Sequence, residues 1–172
     1  MAAVPGVVAL LAQALPAGVI AIPIELSRAA ELAELQKRVM PNPWSQQQFT
    51  DSIYAEHPGW LLIRQGGLIG VIVFSLVLDE LELLTIAVSE NEQGRGLAGL
   101  LLTCCLQSKE LSGASRCTLE VMVNNVPAIK LYQALGFVQV GLRRDYYKLS
   151  YGRVDALVMQ LQLSEGAFDA RA

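Results

Sequence analysis

The chain has 172 residues, 53% hydrophobic and 17% charged, with a mean hydropathy of +0.40. That length and composition suit one domain with a real core, and they exclude a disordered chain or two separate catalytic domains. Thirteen Lys and Arg against sixteen Asp and Glu leave a formal net charge of -3. No diffuse positive field is available for a phosphate backbone, so direct nucleic-acid binding is disfavoured.

Residues 1–19 read as an apolar N-terminal extension, 20–164 as the folded domain and 165–172 as a C-terminal tail. No charge occurs from Ala2 to Ile24, a length that hydropathy alone would allow to cross a bilayer. Pro5, Pro16 and Pro23 interrupt it and no basic residue precedes it, so it is expected to pack on the domain, leaving a cytoplasmic protein without membrane attachment. Ile20–Leu26 reads as a first strand. Ser27 is expected to cap a helix running to about Val39, with Leu32, Leu35 and Val39 on its apolar face. Pro41-Asn42-Pro43 stops it. Ser45 then caps a second helix, with Gln48 at the capping-box position and Phe49 and Ile53 on one face.

Trp60–Arg64 and Leu68–Leu78 are predicted strands joined by a tight turn at Gln65-Gly66-Gly67. Leu81–Val88 is the next strand, and its end runs into Gln93-Gly94-Arg95-Gly96. From Leu97 to Leu111 apolar residues recur at helical steps, up to Gly113. Arg116–Val123 is a further strand. Asn125 caps a helix with Pro127 early in it and Gly136 just past its end. Phe137–Arg143 and Asp155–Leu163 complete the sheet, joined by the polar, tyrosine-rich stretch Arg144–Arg153. The sum is an α/β (α+β) fold.

Cys104, Cys105 and Cys117 lack metal-ligand spacing, and His57, before Pro58, is the single histidine. No metal site is expected. The cysteines are buried reduced thiols or, on a functional reading, an acylated intermediate with no basic partner at hand.

The junction from Ile86-Ala87-Val88 into Gln93-Gly94-Arg95-Gly96-Leu97-Ala98-Gly99 carries the strongest chemical signal. Glycines at a helix N-terminus expose orphan backbone N–H groups at the positive end of the dipole, which suits a diphosphate. Arg95 adds a charged donor. Gly94, Gly96 and Gly99 carry the spacing of a dinucleotide fingerprint, but the loop lies mid-chain after a hairpin instead of in an early βαβ unit, and the Gly-Lys-Ser/Thr of a P-loop is absent.

A second constellation follows: Glu120-Val121, then Asn125, Ala128, Leu131-Tyr132 and Leu135-Gly136-Phe137. With the Q-x-x-G-x-A loop before it, this series resembles the two core motifs of the GNAT acetyltransferase superfamily, in the same order. Asn42-Pro43-Trp44-Ser45 with Phe49, the run Arg143-Arg144-Asp145-Tyr146-Tyr147 and Asp155-Ala156-Leu157-Val158-Met159 are similar to the ribosomal-protein-alanine N-acetyltransferase (RimI) family. The resemblance covers residues 25 to 163. The apolar N-terminal extension, and Met122 where relatives commonly carry Arg, depart from it.

The resemblance implies a mostly antiparallel sheet of six to seven strands, splayed at its centre and flanked by about four helices. It also implies acetyl-CoA as co-substrate, direct attack by an amine, and a protein N-terminus, that of a ribosomal protein, as acceptor to a monomer or weak dimer. By the same resemblance Glu120 is the general base and Tyr132 the general acid. Backbone groups of Ile86, Ala87 and Val88 would hold the pantetheine arm, Gln93 to Gly99 the diphosphate, and Asn125 the arm from the other side. Trp44, Tyr146 and Tyr147 would border the peptide.

The residues themselves leave alternatives open. Glu120 is the one carboxylate in an apolar strand, where a carboxylate is a stronger base, or it is a structural partner of an arginine such as Arg143. Tyr132 reaches the leaving sulfur or is a core aromatic, and Tyr146 and Tyr147 contact substrate or pack a strand end. A GNAT acting on a small-molecule amine or a lysine, and a noncatalytic acetyl-CoA-binding module, are the competing functions.

Overall fold

Alternation along the strands decides the architecture. In the computed structural model, which describes residues 5–163 other than 109, 110 and 112, strand β2 (Gly59–Arg64) sends successive side chains to opposite faces. Leu61 and Ile63 join Leu32, Leu35 and Phe49 in one core cluster, whereas Trp60 and Leu62 join Val7, Leu11, Leu101 and Cys105 in another. A sheet apolar on both faces must be covered on both. Helices α2 (Ala29–Val39) and α3 (Gln46–Tyr54) cover the first face. Helices α1 (Pro5–Ala14), α4 (Leu97–Leu106) and α5 (Val126–Ala134) supply the second.

The sheet has seven strands in the order β1-β2-β3-β4-β5-β7-β6. The others are β1 (Val19–Pro23), β3 (Gly67–Val77), β4 (Glu80–Val88), β5 (Arg116–Met122), β6 (Val138–Leu149) and β7 (Gly152–Gln162). Every neighbouring pair is antiparallel except β4 and β5. That parallel pairing runs from Glu80↔Arg116 to Leu83↔Leu119 and no further. At the point where it ends, Leu84 is an extra residue in the β3–β4 ladder, between Phe74↔Leu83 and Val73↔Thr85. A bulge bends its strand, and beyond it β4 stays with β3 while β5 stays with β7. The expected splay at the centre of the sheet is present.

Several expectations need correcting. The extension packs on the domain as expected, but as a helix, α1, whose buried Val7 and Leu11 join the core; each contributes about 1.5–3 kcal/mol by burial. Pro5 opens that helix, where its missing N–H is harmless, and Pro16 follows its end. Among the described residues five α-helices flank the sheet, where about four were expected. Ser27 is not a helix cap: its hydroxyl donates to Glu25 Oε2 at 2.9 Å, and Leu26–Arg28 form a 3-10 turn before α2. Ser45 and Gln48 do form the reciprocal capping box. Helix α4 ends at Leu106 rather than Leu111. Strand β6 runs on to Leu149, so most of the stretch expected to connect two strands is itself strand. The proposed tail, 165–172, lies outside the described residues, and no described helix is long and apolar enough to cross a membrane.

All three cysteines are free thiols and buried. Burial raises the pKa of each, Cys117 to about 12 and Cys105 well above the ordinary value. A protonated thiol is a poor nucleophile, so the acylated-cysteine alternative loses its chemical basis.

Candidate active site

The cleft opens where β4 and β5 part, with a volume of about 580 Å³. One wall is backbone. Ile86, Ala87 and Val88 end β4 there, and Gln93 Nε2 donates to the Val88 carbonyl at 2.9 Å, tying the following loop to the strand end. Gly94 and Gly96 have φ of +73° and +76°, a region glycine enters without strain. A β-carbon on either would point into open space. That space is bordered by the first turn of α4, whose N–H groups have no acceptor within the helix.

Ion pairs around one buried carboxylate hold this loop. Glu92 in the 3-10 turn Glu90–Glu92 is buried, with Arg64 Nη1 3.2 Å from its Oε1 and Arg95 Nη1 3.4 Å from its Oε2. The second contact is an ion pair without hydrogen-bond geometry. The two guanidiniums offset a carboxylate that would otherwise repel an anionic ligand. Arg95 is turned to Glu92 and does not line the cleft. Leu97 and Ala98 line it from α4. Gly99 lines it as well, but a β-carbon there would meet Leu131 at 3.0 Å, so this glycine also lets α4 approach α5 closely.

The other wall is side-chain chemistry. Glu120 on β5 lines the cleft, with Arg143 Nη1 at 2.8 Å from its Oε1. The arginine partner weighed from the sequence is real, and Glu120 is not isolated among apolar groups. Arg143 also lies over the Tyr146 ring, 5.3 Å from its centroid. Hydrogen bonding to Glu120 comes first among the causes that raise the Tyr146 pKa, followed by burial. Tyr147 stacks edge-on to Tyr146 at 5.1 Å, and burial, then the Glu120 charge, pushes its hydroxyl up to about 12. Tyr147 lines the cleft, whereas Tyr146 stands beside it, 43% exposed.

Tyr132 lines the cleft from α5 and is buried against Phe137, with ring centroids 5.9 Å apart. Burial first, then the neighbouring Tyr147 and Cys117, raises its pKa above the ordinary phenol value. Tyr132 is therefore packed in the core with an edge on the cleft. Asn125 lines the cleft and caps α5, its Oδ1 accepting from the Ala128 N–H at 3.3 Å. Trp44 closes the far side, tilted on Phe49 at 5.2 Å.

Most of the sequence-nominated residues thus come together at one cleft, with Arg95 and Tyr146 at its margin. Sequence reasoning gave no role to Gln36, Glu92 or Thr85, the last of which opens the strand-end motif. A glutamine on the apolar side of α2, four residues from Leu32, was the available signal for Gln36. Chemically, the cleft offers orphan N–H groups for an anion, a carboxylate able to take a proton and a phenol able to give one.

Comparison with known proteins agrees with this layout. Residues 29–137 match the family model described as the acetyltransferase (GNAT) family. The [ribosomal protein bS18]-alanine N-acetyltransferase of Escherichia coli (strain K12) is 34% identical over 130 residues, covering 76% of this chain and 88% of that protein. The same enzyme from Haemophilus ducreyi is 32% identical, covering 77% and 92%. The crystal structure of the ribosomal-protein-S18-alanine N-acetyltransferase from Escherichia coli superposes with a TM-score of 0.78 at 30% identity, covering 88% of this chain and 97% of that one. Arabidopsis thaliana NAA60 in complex with acetyl-CoA, at 20% identity and a TM-score of 0.76, shares the fold over 84% of this chain and 98% of its own. The chain belongs to the GNAT acetyltransferase family, among its ribosomal-protein-alanine N-acetyltransferases.

Proposed function

We propose that this protein transfers acetyl from acetyl-CoA to the α-amine of a protein N-terminus, the N-terminal alanine of ribosomal protein bS18, in the cytoplasm. The observation that carries the reading is the pairing, across one cleft, of a glycine-built anion cradle with Glu120 and Tyr132. Identity of 34% to an enzyme named for that reaction, over 88% of its length, supports the acceptor.

The residues suit the task. The N–H groups around Gly94 to Ala98 would receive the diphosphate, with Arg95 free to leave Glu92 for it. The unpaired edge of β4 at Ile86 to Val88 would hold the pantetheine amides, with Asn125 opposite. Acetyl-CoA supplies the thioester and, in its diphosphate, the anchor. Glu120 would take a proton from the incoming ammonium, so that the free amine attacks the thioester carbon directly. Tyr132, kept in its phenol form by burial, would protonate the departing thiolate. Before the acceptor arrives, Arg143 occupies the carboxylate, and an ammonium would displace it from Glu120. Trp44 and Tyr147 would border the peptide.

The test measures thiol release from acetyl-CoA with an alanine-initiated peptide, beside a polyamine and a lysine peptide with a blocked N-terminus. Turnover with the alanine peptide alone is expected. Preference for either other amine would overturn the acceptor, and no turnover with any amine while acetyl-CoA still binds would leave a noncatalytic module.

A further inference from the structure

The acceptor side of the cleft hangs on one buried amide. Helix α2 turns Leu32 and Leu35 toward the sheet, and among them lies Gln36, fully buried. Burying an amide is unfavourable by about 2–7 kcal/mol unless it is hydrogen-bonded, so an apolar residue would serve packing better at this position. Both ends of this amide are satisfied. Gln36 Nε2 donates to Thr85 Oγ1 at 2.7 Å, and Oε1 accepts from the Trp44 N–H at 2.7 Å.

The two partners are not equivalent. Thr85 lies on β4 just past the last pairing with β5, on the strand that walls the cleft. Trp44 ends the segment 40–44, which lines the cleft opposite. Two of its five residues, Pro41 and Pro43, have no N–H to give. The segment's first residue, Met40, donates its N–H to the Gln36 carbonyl at 2.7 Å. Gln36 therefore clamps this segment at both ends, by its backbone at Met40 and by its side chain at Trp44, and fastens the clamp to β4.

We propose that Gln36 is a positioning residue for the acceptor: it sets the segment 40–44 against β4 before an acceptor enters. The claim rests on the acetyltransferase reading only in taking that segment as the acceptor's wall. A wall set in advance spares the ordering cost at binding, so its loss should appear in the acceptor's KM and not in the coenzyme's affinity.

Gln36→Met keeps the volume and removes both side-chain hydrogen bonds. The alanine-peptide KM should rise about tenfold, as for the loss of a buried hydrogen bond, while the acetyl-CoA Kd by calorimetry stays within twofold. Gln36→Glu should restore the KM, because a carboxyl group can accept from the Trp44 N–H while the Thr85 hydroxyl turns to donate. Fluorescence supplies a readout that needs no acceptor. Trp60 is 1% exposed and shielded in the folded protein, so acrylamide quenching reports Trp44, and it should increase in Gln36→Met and fall back in Gln36→Glu. Thr85→Val, which cuts only the anchor to β4, should show a smaller increase and decides the matter should Gln36→Met not fold. Quenching unchanged in these variants would overturn the proposal, as would a coenzyme affinity that weakens as much as the peptide KM. Failure of the wild-type protein to acetylate alanine peptides would sink the proposed function, while the quenching comparison would still decide the role of Gln36.

Discussion

The two walls of the cleft are built on different principles. The β4–α4 wall presents mainly backbone: apart from Gln93 and Arg95 its nominated residues are Ile, Leu, Ala, Val and Gly, and what matters at Gly94 and Gly96 is a positive φ. The β5–α5–β6 wall presents functional groups: Glu120, Tyr132, Asn125 and Tyr147 face the same space with a carboxylate, an amide and two phenols. A backbone wall tolerates side-chain change but not conformational change. A side-chain wall behaves the opposite way, so the two should separate cleanly into binding and turnover.

Glu120→Gln should break that comparison most sharply. It keeps the shape, and it should lower kcat about a hundredfold or more while the acetyl-CoA Kd stays within twofold. Equal kcat with an alanine peptide would remove Glu120 from the base role. Tyr132→Phe retains the ring against Phe137 and should lower kcat about tenfold to a hundredfold, again with little change in coenzyme affinity. On the opposite wall, Gly96→Val forces a β-branched residue to a φ of +76°. Strain of about 1–3 kcal/mol should appear as about tenfold or more weaker acetyl-CoA binding in calorimetry, with kcat at saturation little changed.

The smallest effect is expected in alkali. Tyr147 is held up to about 12 in the fold, so between pH 10 and about 12 the unfolded chain loses this proton and the folded one keeps it. Stability therefore falls as pH rises through that window and is unaffected below it. A pH series of melting temperatures should show Tyr147→Phe losing less between pH 10 and 12 than the wild-type protein does. A parallel decline in both would place the sensitive groups elsewhere.

Much of this was legible because local chemistry and long-range packing agree. The Ser45–Gln48 capping box, the glycines opening α4 and the Asn125 cap are local devices, and each stands where its residues suggest. The failures lie where a distant or competing partner decides. Ser27 has the right chemistry for a cap, yet Glu25 takes its hydroxyl. Helix α1 carries no charge to mark a polar face, so the packing of residues 5–14 was legible but their helical form was not. Strand β6 reaches Leu149 because β7 pairs with it again from Tyr147 after an irregularity at residues 144–146, although the polar run reads as a connection. The placement of Gln36 on an apolar helix face was legible, but its side-chain partners were not, because both come from outside its helix.

The three enclosed thiols have a practical corollary. Colorimetric sulfhydryl reagents react with accessible thiolates, and Cys104, Cys105 and Cys117 are neither accessible nor readily ionised. The native enzyme should therefore contribute almost no background colour, so that each mole of chromophore formed during a progress curve counts one mole of coenzyme set free.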